Sequence, residues 1–328
     1  MSLSTNAQVE FEAGQTLVPV TALTDSGDHL NFTHAFKPWS RKSGFDALIT
    51  PNGLVTGGAV TAAAGGGNNN VDVAALSCYL AGVLTSVSAA TNQAITRPAT
   101  AVSKVNSITV TSAGAVAVVA GTDGASTAFS ETRGAAGGPP LIPVGSVEIA
   151  QVRVISNTAA PIAAAEIFAV VGTHVERYDF PAWSINPFDG KVTFASALPV
   201  SHTGSLAKGV YAKIYTPIFQ AVAKALDFAP CETTYSAGSQ EYYGGTLGTA
   251  SSSLGQGSFT ALLEDGHTDS LLSQKGQNIL VRFKQDRNRT PYSLTQGILG
   301  VTRTYPKTQQ VQAACTLTCE LATQDYSS

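Results

Sequence analysis

The sequence predicts a mainly β protein: a β-sandwich or partial barrel with a short flanking α-helix, plus an inserted small β-domain. Three observations carry that expectation. From Gly257 onward, apolar and polar residues alternate through SFTALLED, NILVRFKQD, YSLTQGILGVTRTYP and VQAACTLTCELATQ, the period of strands with one buried face. Charged residues make up only 12% of a chain rich in small and β-branched residues, with 31 glycines and 15 prolines to punctuate turns. Composition also shifts after Pro51, where GGAVTAAAGGGNNN opens an Ala/Gly-rich stretch unlike its flanks.

Taken in order, residues 1–15 are polar without periodicity and read as an arm that orders against a partner, as does the tail LATQDYSS. TLVPVTAL, HLNFTHAF and FDALIT are short strands separated by Asp25-Ser26-Gly27 and Pro38-Trp39-Ser40, which carry turn chemistry. Residues 65–70 read as a flexible linker. Strands follow in VDVAALSCYLAGVLTSV and NSITVTSAGAVAVVAGTDG, with a hairpin turn over Ser112-Ala113-Gly114, and GGPPLIPVGSVEIAQVRVIS and PIAAAEI complete the region. WSINPFDGKVTF is a hairpin turning at Phe188-Asp189-Gly190, and GVYAKIYTP alternates as a strand.

In PIFQAVAKALDF, Phe219, Val222, Ala223 and Leu226 fall at helical spacing behind Thr216-Pro217, a suitable N-cap and first-turn pair. A helix over 217–227 is therefore favoured, although strand alternation fits almost as well. Residues 229–257 are Gly- and Ser-rich and read as a loop or projecting hairpin. Its Tyr235, Tyr242 and Tyr243 point to contact with a partner, because aromatic residues favour interfaces. Further on, Phe259, Ala261 and Leu263 share one strand face. So do Ile279, Val281 and Phe283, with Arg282 and Lys284 opposite. Between these strands Thr268 or Asp269 caps a short helix over 270–274, and Gly276 ends it.

Segments 259–264, 270–275, 279–286, 297–306 and 311–320, in this order, resemble the C-terminal part of the major tail (tail tube) protein of long-tailed, siphovirus-type bacteriophages. The segment GGPPLIPVGSVEIAQVRV, within residues 71–167, resembles small β-modules of phage fibre and baseplate proteins. The resemblance implies a tail-tube core over 1–50 and 168–328, with 51–167 inserted and decorating the exterior. It implies a structural virion protein, made in the host cytoplasm, whose copies close into hexameric rings by joining sheets side by side. Stacked rings would form the conduit for DNA ejection. The implied partners are the chain itself, other tail proteins at the tube ends, and the tape-measure protein and viral DNA in the lumen. A baseplate or distal-tail ring, or a fibre-base protein with a glycan-binding module, is the competing expectation.

The residues offer little to catalysis. There is no G-x-S-x-G elbow, Walker loop, G-x-G-x-x-G after a strand, or H-E-x-x-H, so no enzyme, metal or cofactor is expected. Asp265, His267 and Asp269 read as the polar lead-in to the short helix, and His174, Glu176 and Tyr178 as an outward, solvated strand face. Cys315 and Cys319 share a strand face roughly 13 Å apart, too far for a disulfide, and with Cys78 and Cys231 form no zinc pattern. No apolar run approaches the length of a membrane span, and the N-terminus lacks a signal-peptide pattern, so a soluble product is expected. The formal net charge is −3, which gives no general attraction to nucleic acid. Between residues 270 and 310 the basic side chains Lys275, Arg282, Lys284, Arg287, Arg289, Arg303 and Lys307 face Asp286 alone, with the acids mostly elsewhere. That segregation marks Arg282, Lys284, Arg287, Arg289 and Arg303, with the three tyrosines, as candidate subunit-interface residues. The lumen should then be acidic or neutral, since lysines aligned around a ring would hold DNA.

Overall fold

The strand Gln8–Ala22 is the spine of the computed structural model, which describes residues 6–327. It pairs antiparallel with Tyr211–Ala221 on one side and with Asn278–Lys284 on the other. The sheet around it runs Ala225–Ala229, Gly257–Leu262, Gln312–Thr318, Tyr292–Thr304, Asn278–Lys284, Gln8–Ala22, Tyr211–Ala221, Leu48–Ile49. Gln324–Tyr326 joins along Tyr292–Thr304. The fold is mainly β, with antiparallel sheets and, among the described residues, no closed barrel.

The expected arms are corrected by this arrangement. Residues 1–5 and 328 lie outside the described residues, but residues 8–15 sit in the centre of the sheet. Their polarity misleads because the buried Glu10 and Glu12 both find internal partners. Glu12 lies where the spine's register to Tyr211–Ala221 shifts, between Glu12 and Gly14. Pairing with Asn278–Lys284 stops at Phe11↔Val281, so the Leu280 N–H donates to Glu12 Oε2 at 3.1 Å instead. Glu12 Oε1 accepts from Ser40 Oγ at 2.5 Å and from Gln15 Nε2 at 2.7 Å. At the other terminus Tyr326 stacks on Tyr292 with centroids 5.0 Å apart, so the tail is a strand rather than an arm.

One expected helix is absent, and the other is 3₁₀ rather than α. Residues 217–227 belong to the strands Tyr211–Ala221 and Ala225–Ala229, joined by a short connection. Ladder pairing with the spine outweighs the helical spacing, and Pro217 occupies a position that an edge strand tolerates. Residues 270–274 form a single 3₁₀ turn, without a side-chain cap from Asp269. Gly276 adopts the left-handed conformation expected at its end (φ 79°).

Packing divides into separate clusters. Val9, Phe11, Phe259, Ile279, Val281, Leu299 and Cys315 form the core on one face of the large sheet. Phe188, Leu280 and Leu294 are covered on the other, with Phe219 and Tyr326 beside them. The far half of the sheet packs Ile49, Ala212 and Ile214 against Phe32, Val192 and Phe194. The last three belong to a four-stranded sheet that includes the hairpin Trp183–Asn186/Lys191–Phe194, turning at Gly190 as its sequence indicates.

The Ala/Gly-rich region builds three further sheets, Gly53–Gly57/Leu76–Leu80/Val83–Val87, Val60–Ala62/Asn70–Val73/Ala90–Ala94 and Lys104–Val110/Val116–Ala120/Val147–Val154/Ile167–Phe168. They enclose their own core around Val71, Cys78, Ile108, Val110, Val147 and Val152. The expected linker at 65–70 is a correction. It is the loop of a hairpin inside this region, where Val60 pairs with Val73 and Asn69 Oδ1 accepts from Arg97 Nε at 2.5 Å.

Glu12→Ala strips acceptors from a buried backbone N–H and a buried hydroxyl, and should lower the unfolding free energy by about 2–4 kcal/mol. Urea unfolding checks this. Glu12→Gln, which keeps one acceptor, should cost less.

Candidate functional site

Two places concentrate polar or unsatisfied groups. The first is the ribbon Thr233–Tyr242/Gly245–Leu254, a hairpin paired in register from Thr233↔Leu254 to Tyr242↔Gly245. It turns at Tyr243-Gly244, with Gly244 at φ 100°. Each arm spans roughly 33 Å at the rise of a β-strand. Every residue from 234 to 253 is exposed. Ser, Thr, Gly and Ala dominate, so the ribbon buries nothing of its own, and contacts such as Ser236 Oγ with Ser251 Oγ at 2.7 Å add to its backbone ladder. Tyr235 is 84% exposed and Tyr243 fully so, while Tyr242 and Leu247 project from one ribbon face. Two strands without a packed face are marginal in water, so the ribbon's stability demands more than its own residues supply.

The sheet edges add to that demand. Among the described residues, Tyr211–Ala221 has a strand partner on its outer side only at Ala212 and Lys213. The Tyr215 carbonyl accepts from Ser40 N–H, and the edge beyond carries exposed Ile218. At the opposite end of the sheet, Ala225–Ala229 is an edge with exposed Leu226. Between the two ends lies an open groove of about 710 Å³ lined by Val9, Val222, Phe228, Phe283 and Arg287.

The basic residues singled out from sequence are mostly occupied within the chain. Arg282 pairs with Glu10 Oε2 at 2.5 Å and lies over the Phe219 ring, 4.3 Å from its centroid. Lys284 Nζ reaches the other Glu10 oxygen at 3.5 Å. Arg303 donates to the Gly266 carbonyl at 2.5 Å, and Arg287 Nε lies 3.5 Å from the Asn6 carbonyl. Arg289 is largely exposed beside Asp286. Charges segregated along the sequence thus meet in space, because the spine sets Glu10 beside Arg282 and Lys284. The Asp265 loop is closed on itself. Asp265 accepts from the N–H groups of His267 and Thr268 and from the Thr268 hydroxyl, which hold its carboxyl well below the usual range. Asp269 accepts from Glu264 and Gly266 N–H rather than capping the 3₁₀ turn.

The second place was missed by sequence reasoning. A cavity of about 140 Å³ lies where the Ala/Gly-rich region meets the rest of the chain, lined by Arg133, Glu148, Glu176, Ser201 and Lys208. Glu148 is fully buried, paired with Arg133 and hydrogen-bonded by Ser107 and Gln151. Burial pushes its carboxyl up while Arg133 opposes the shift. Glu176 accepts from Ser201 Oγ and from Glu148 N–H, and its own N–H donates to the Glu148 carbonyl. Lys208 Nζ donates to the carbonyls of Arg177 at 2.5 Å and Phe180 at 2.7 Å. Burial lowers its ammonium to about 8.

His174 and Tyr178, expected with Glu176 on an outward strand face, instead lie in turns at this junction, and Glu176 stands between the bridging Val175 and Arg177. His174 is buried, and burial and the neighbouring Arg153 hold its imidazole below the ordinary value. Ser201 stands between Glu176 and His202 Nδ1, 2.9 Å away. A hydrolytic triad instead places histidine between serine and carboxylate, so this order fastens two regions rather than activating a nucleophile.

The folded chain releases the Lys208 proton near pH 8, and the unfolded chain holds it to about 10.5. The unfolded state therefore binds more protons across that window, and the lysine's contribution to stability rises with pH. Comparing urea unfolding of wild type and Lys208→Met at pH 7.5 and 10.5, the wild type should gain on the variant by about 3 kcal/mol.

No protein-family model matches the chain, and no curated protein matches its sequence.

Proposed function

We propose that the chain is a structural subunit that works by self-assembly, as the tail tube protein of a long-tailed phage or a close relative. The observation that carries this reading is the ribbon Thr233–Tyr242/Gly245–Leu254, with no buried residue from 234 to 253. A strand pair of that length and composition gains its stability from a neighbour. The two open edges of the large sheet support the same reading, since side-by-side joining of copies would pair backbone groups that otherwise invite uncontrolled association. Those edges belong to different strands, so a copy-to-copy junction between them is heterologous and generates rings or filaments.

In this reading copies close into hexameric rings that stack into a virion tube. DNA and the tape-measure protein pass through the lumen, and other tail proteins cap the ends. Glu10 cancels one of the two positive charges of Arg282 and Lys284, which suits a wall that must not retain DNA, wherever that strand face lies in the tube. The contacts would be backbone ladders and tyrosines more than ion pairs.

Negative-stain microscopy of the purified chain at high concentration tests the proposal. The wild type should form rings or tubes that persist in high salt, because few of the contacts are ionic. A triple variant with Tyr235→Ser, Tyr242→Ser and Tyr243→Ser should keep the wild-type circular dichroism yet fail to build stacked tubes. A wild-type chain that stays monomeric throughout would overturn the reading.

A further inference from the structure

We infer that Cys231 and Cys319 are a redox pair that closes to a disulfide, clamping the root of the exposed ribbon to the end of the strand Gln312–Thr318. The inference rests on the ribbon's anchorage and not on what the ribbon docks against.

Cys231 is fully buried two residues before the ribbon begins, and its thiol donates to the Gly255 carbonyl at 2.8 Å on the returning side. The strand Gly257–Leu262 pairs with Gln312–Thr318 through Gly257↔Leu317. Continued by two residues, that antiparallel register sets Gly255 opposite Cys319. The Cys231 N–H donates to Thr323 Oγ1 and the Thr323 N–H to the Cys231 carbonyl, each at 2.8 Å, which fixes the Cys231 backbone beside the segment that follows Cys319. The Cys319 thiol in turn donates to the Leu317 carbonyl at 3.3 Å. Room for Cys319 comes from Gly297, where a Cβ would stand 3.2 Å from its sulfur. The other cysteines are placed differently: Cys78 is in the core of the Ala/Gly-rich region and Cys315 in the core beneath the large sheet.

A small disulfide such as oxidised glutathione supplies the oxidising equivalents. Cys319, the more accessible thiol, gives its proton to solvent and attacks one glutathione sulfur, expelling the first glutathione as thiol. Cys231 then loses its proton and attacks the Cys319 sulfur of the mixed disulfide, expelling the second. Two protein thiols are oxidised to one cystine, and one glutathione disulfide is reduced to two thiols. Burial, with Cys319 beside it, pushes the Cys231 thiol up to about 12, so the second step is slow and the open form persists in reducing surroundings.

The test incubates the full chain with oxidised glutathione, alkylates it and maps unreduced peptides by mass spectrometry, alongside Cys231→Ser and Cys319→Ser. The wild type should lose about 2 Da and give one cross-linked peptide pair carrying Cys231 and Cys319. Its melting temperature should rise and return to the starting value with dithiothreitol. Cys231→Ser should retain a glutathione adduct on Cys319, and Cys319→Ser should remain unmodified. A lasting adduct on wild-type Cys319, no reaction, or pairing through Cys78 or Cys315 would overturn the inference. These readouts are internal to one chain, so they stand or fall apart from tube formation.

Discussion

The buried carboxylate of Glu12 fixes the register on which the large sheet depends. The spine strand must serve two neighbours whose ladders do not run in step, and the irregularity between Glu12 and Gly14 absorbs the difference. Such a shift would strand the Leu280 N–H, and the Glu12 side chain takes the place of the missing backbone acceptor. Because the same carboxylate accepts from Ser40, it also ties the loop behind Trp39 to the sheet. Trp39 is fully buried beside the turn at Gly190, so one side chain links the spine, that loop and the second sheet.

The junction with the Ala/Gly-rich region follows a different logic. Its backbone links include a parallel bridge of Leu54 with Arg177, another of Ile142 with His202, and the Glu176 N–H on the Glu148 carbonyl. A Cβ at Gly53 would come within 2.3 Å of the Tyr178 nitrogen, so this contact depends on a residue without a side chain. Around these bridges the buried charges balance, Glu148 and Glu176 against Arg133 and Lys208. Buried ions separated from their partners are costly, so a network of this kind favours one docked position over a sliding apolar contact. The Ala/Gly-rich region has its own core and is nonetheless held in one place.

The fold class was legible in the alternation of Phe259, Ala261 and Leu263 and of Ile279, Val281 and Phe283, all of which face one core. The hairpins at Gly114 and Gly190 were legible from turn chemistry, because left-handed backbone at a turn is a local property. What failed was non-local. Residues 8–15 look like an arm because Glu10 and Glu12 break the apolar pattern, and the partners that place them in the sheet, Arg282 and Leu280, lie 272 and 268 residues away. Residues 217–227 satisfy two periods at once, and only pairing with the spine decides between them. Glu148, Ser201 and Lys208 come from distant segments with no shared motif. The Cys231–Cys319 pair was equally hidden, since sequence proximity drew attention to Cys315 and Cys319.

The same contrast bears on how copies of this chain would meet. Basic residues clustered between 270 and 310 suggest electrostatic docking when read along the chain. In three dimensions Glu10 and the Gly266 carbonyl already engage Arg282, Lys284 and Arg303, and a side chain engaged internally has little left for a neighbour. The groups without partners are of another kind: strand edges at both ends of the sheet and a ribbon with exposed tyrosines. Edge ladders are directional and require strand alignment, whereas charge patches tolerate many orientations. An assembly built on the former fixes the angle between copies, which is the property that a closed ring requires of its subunit.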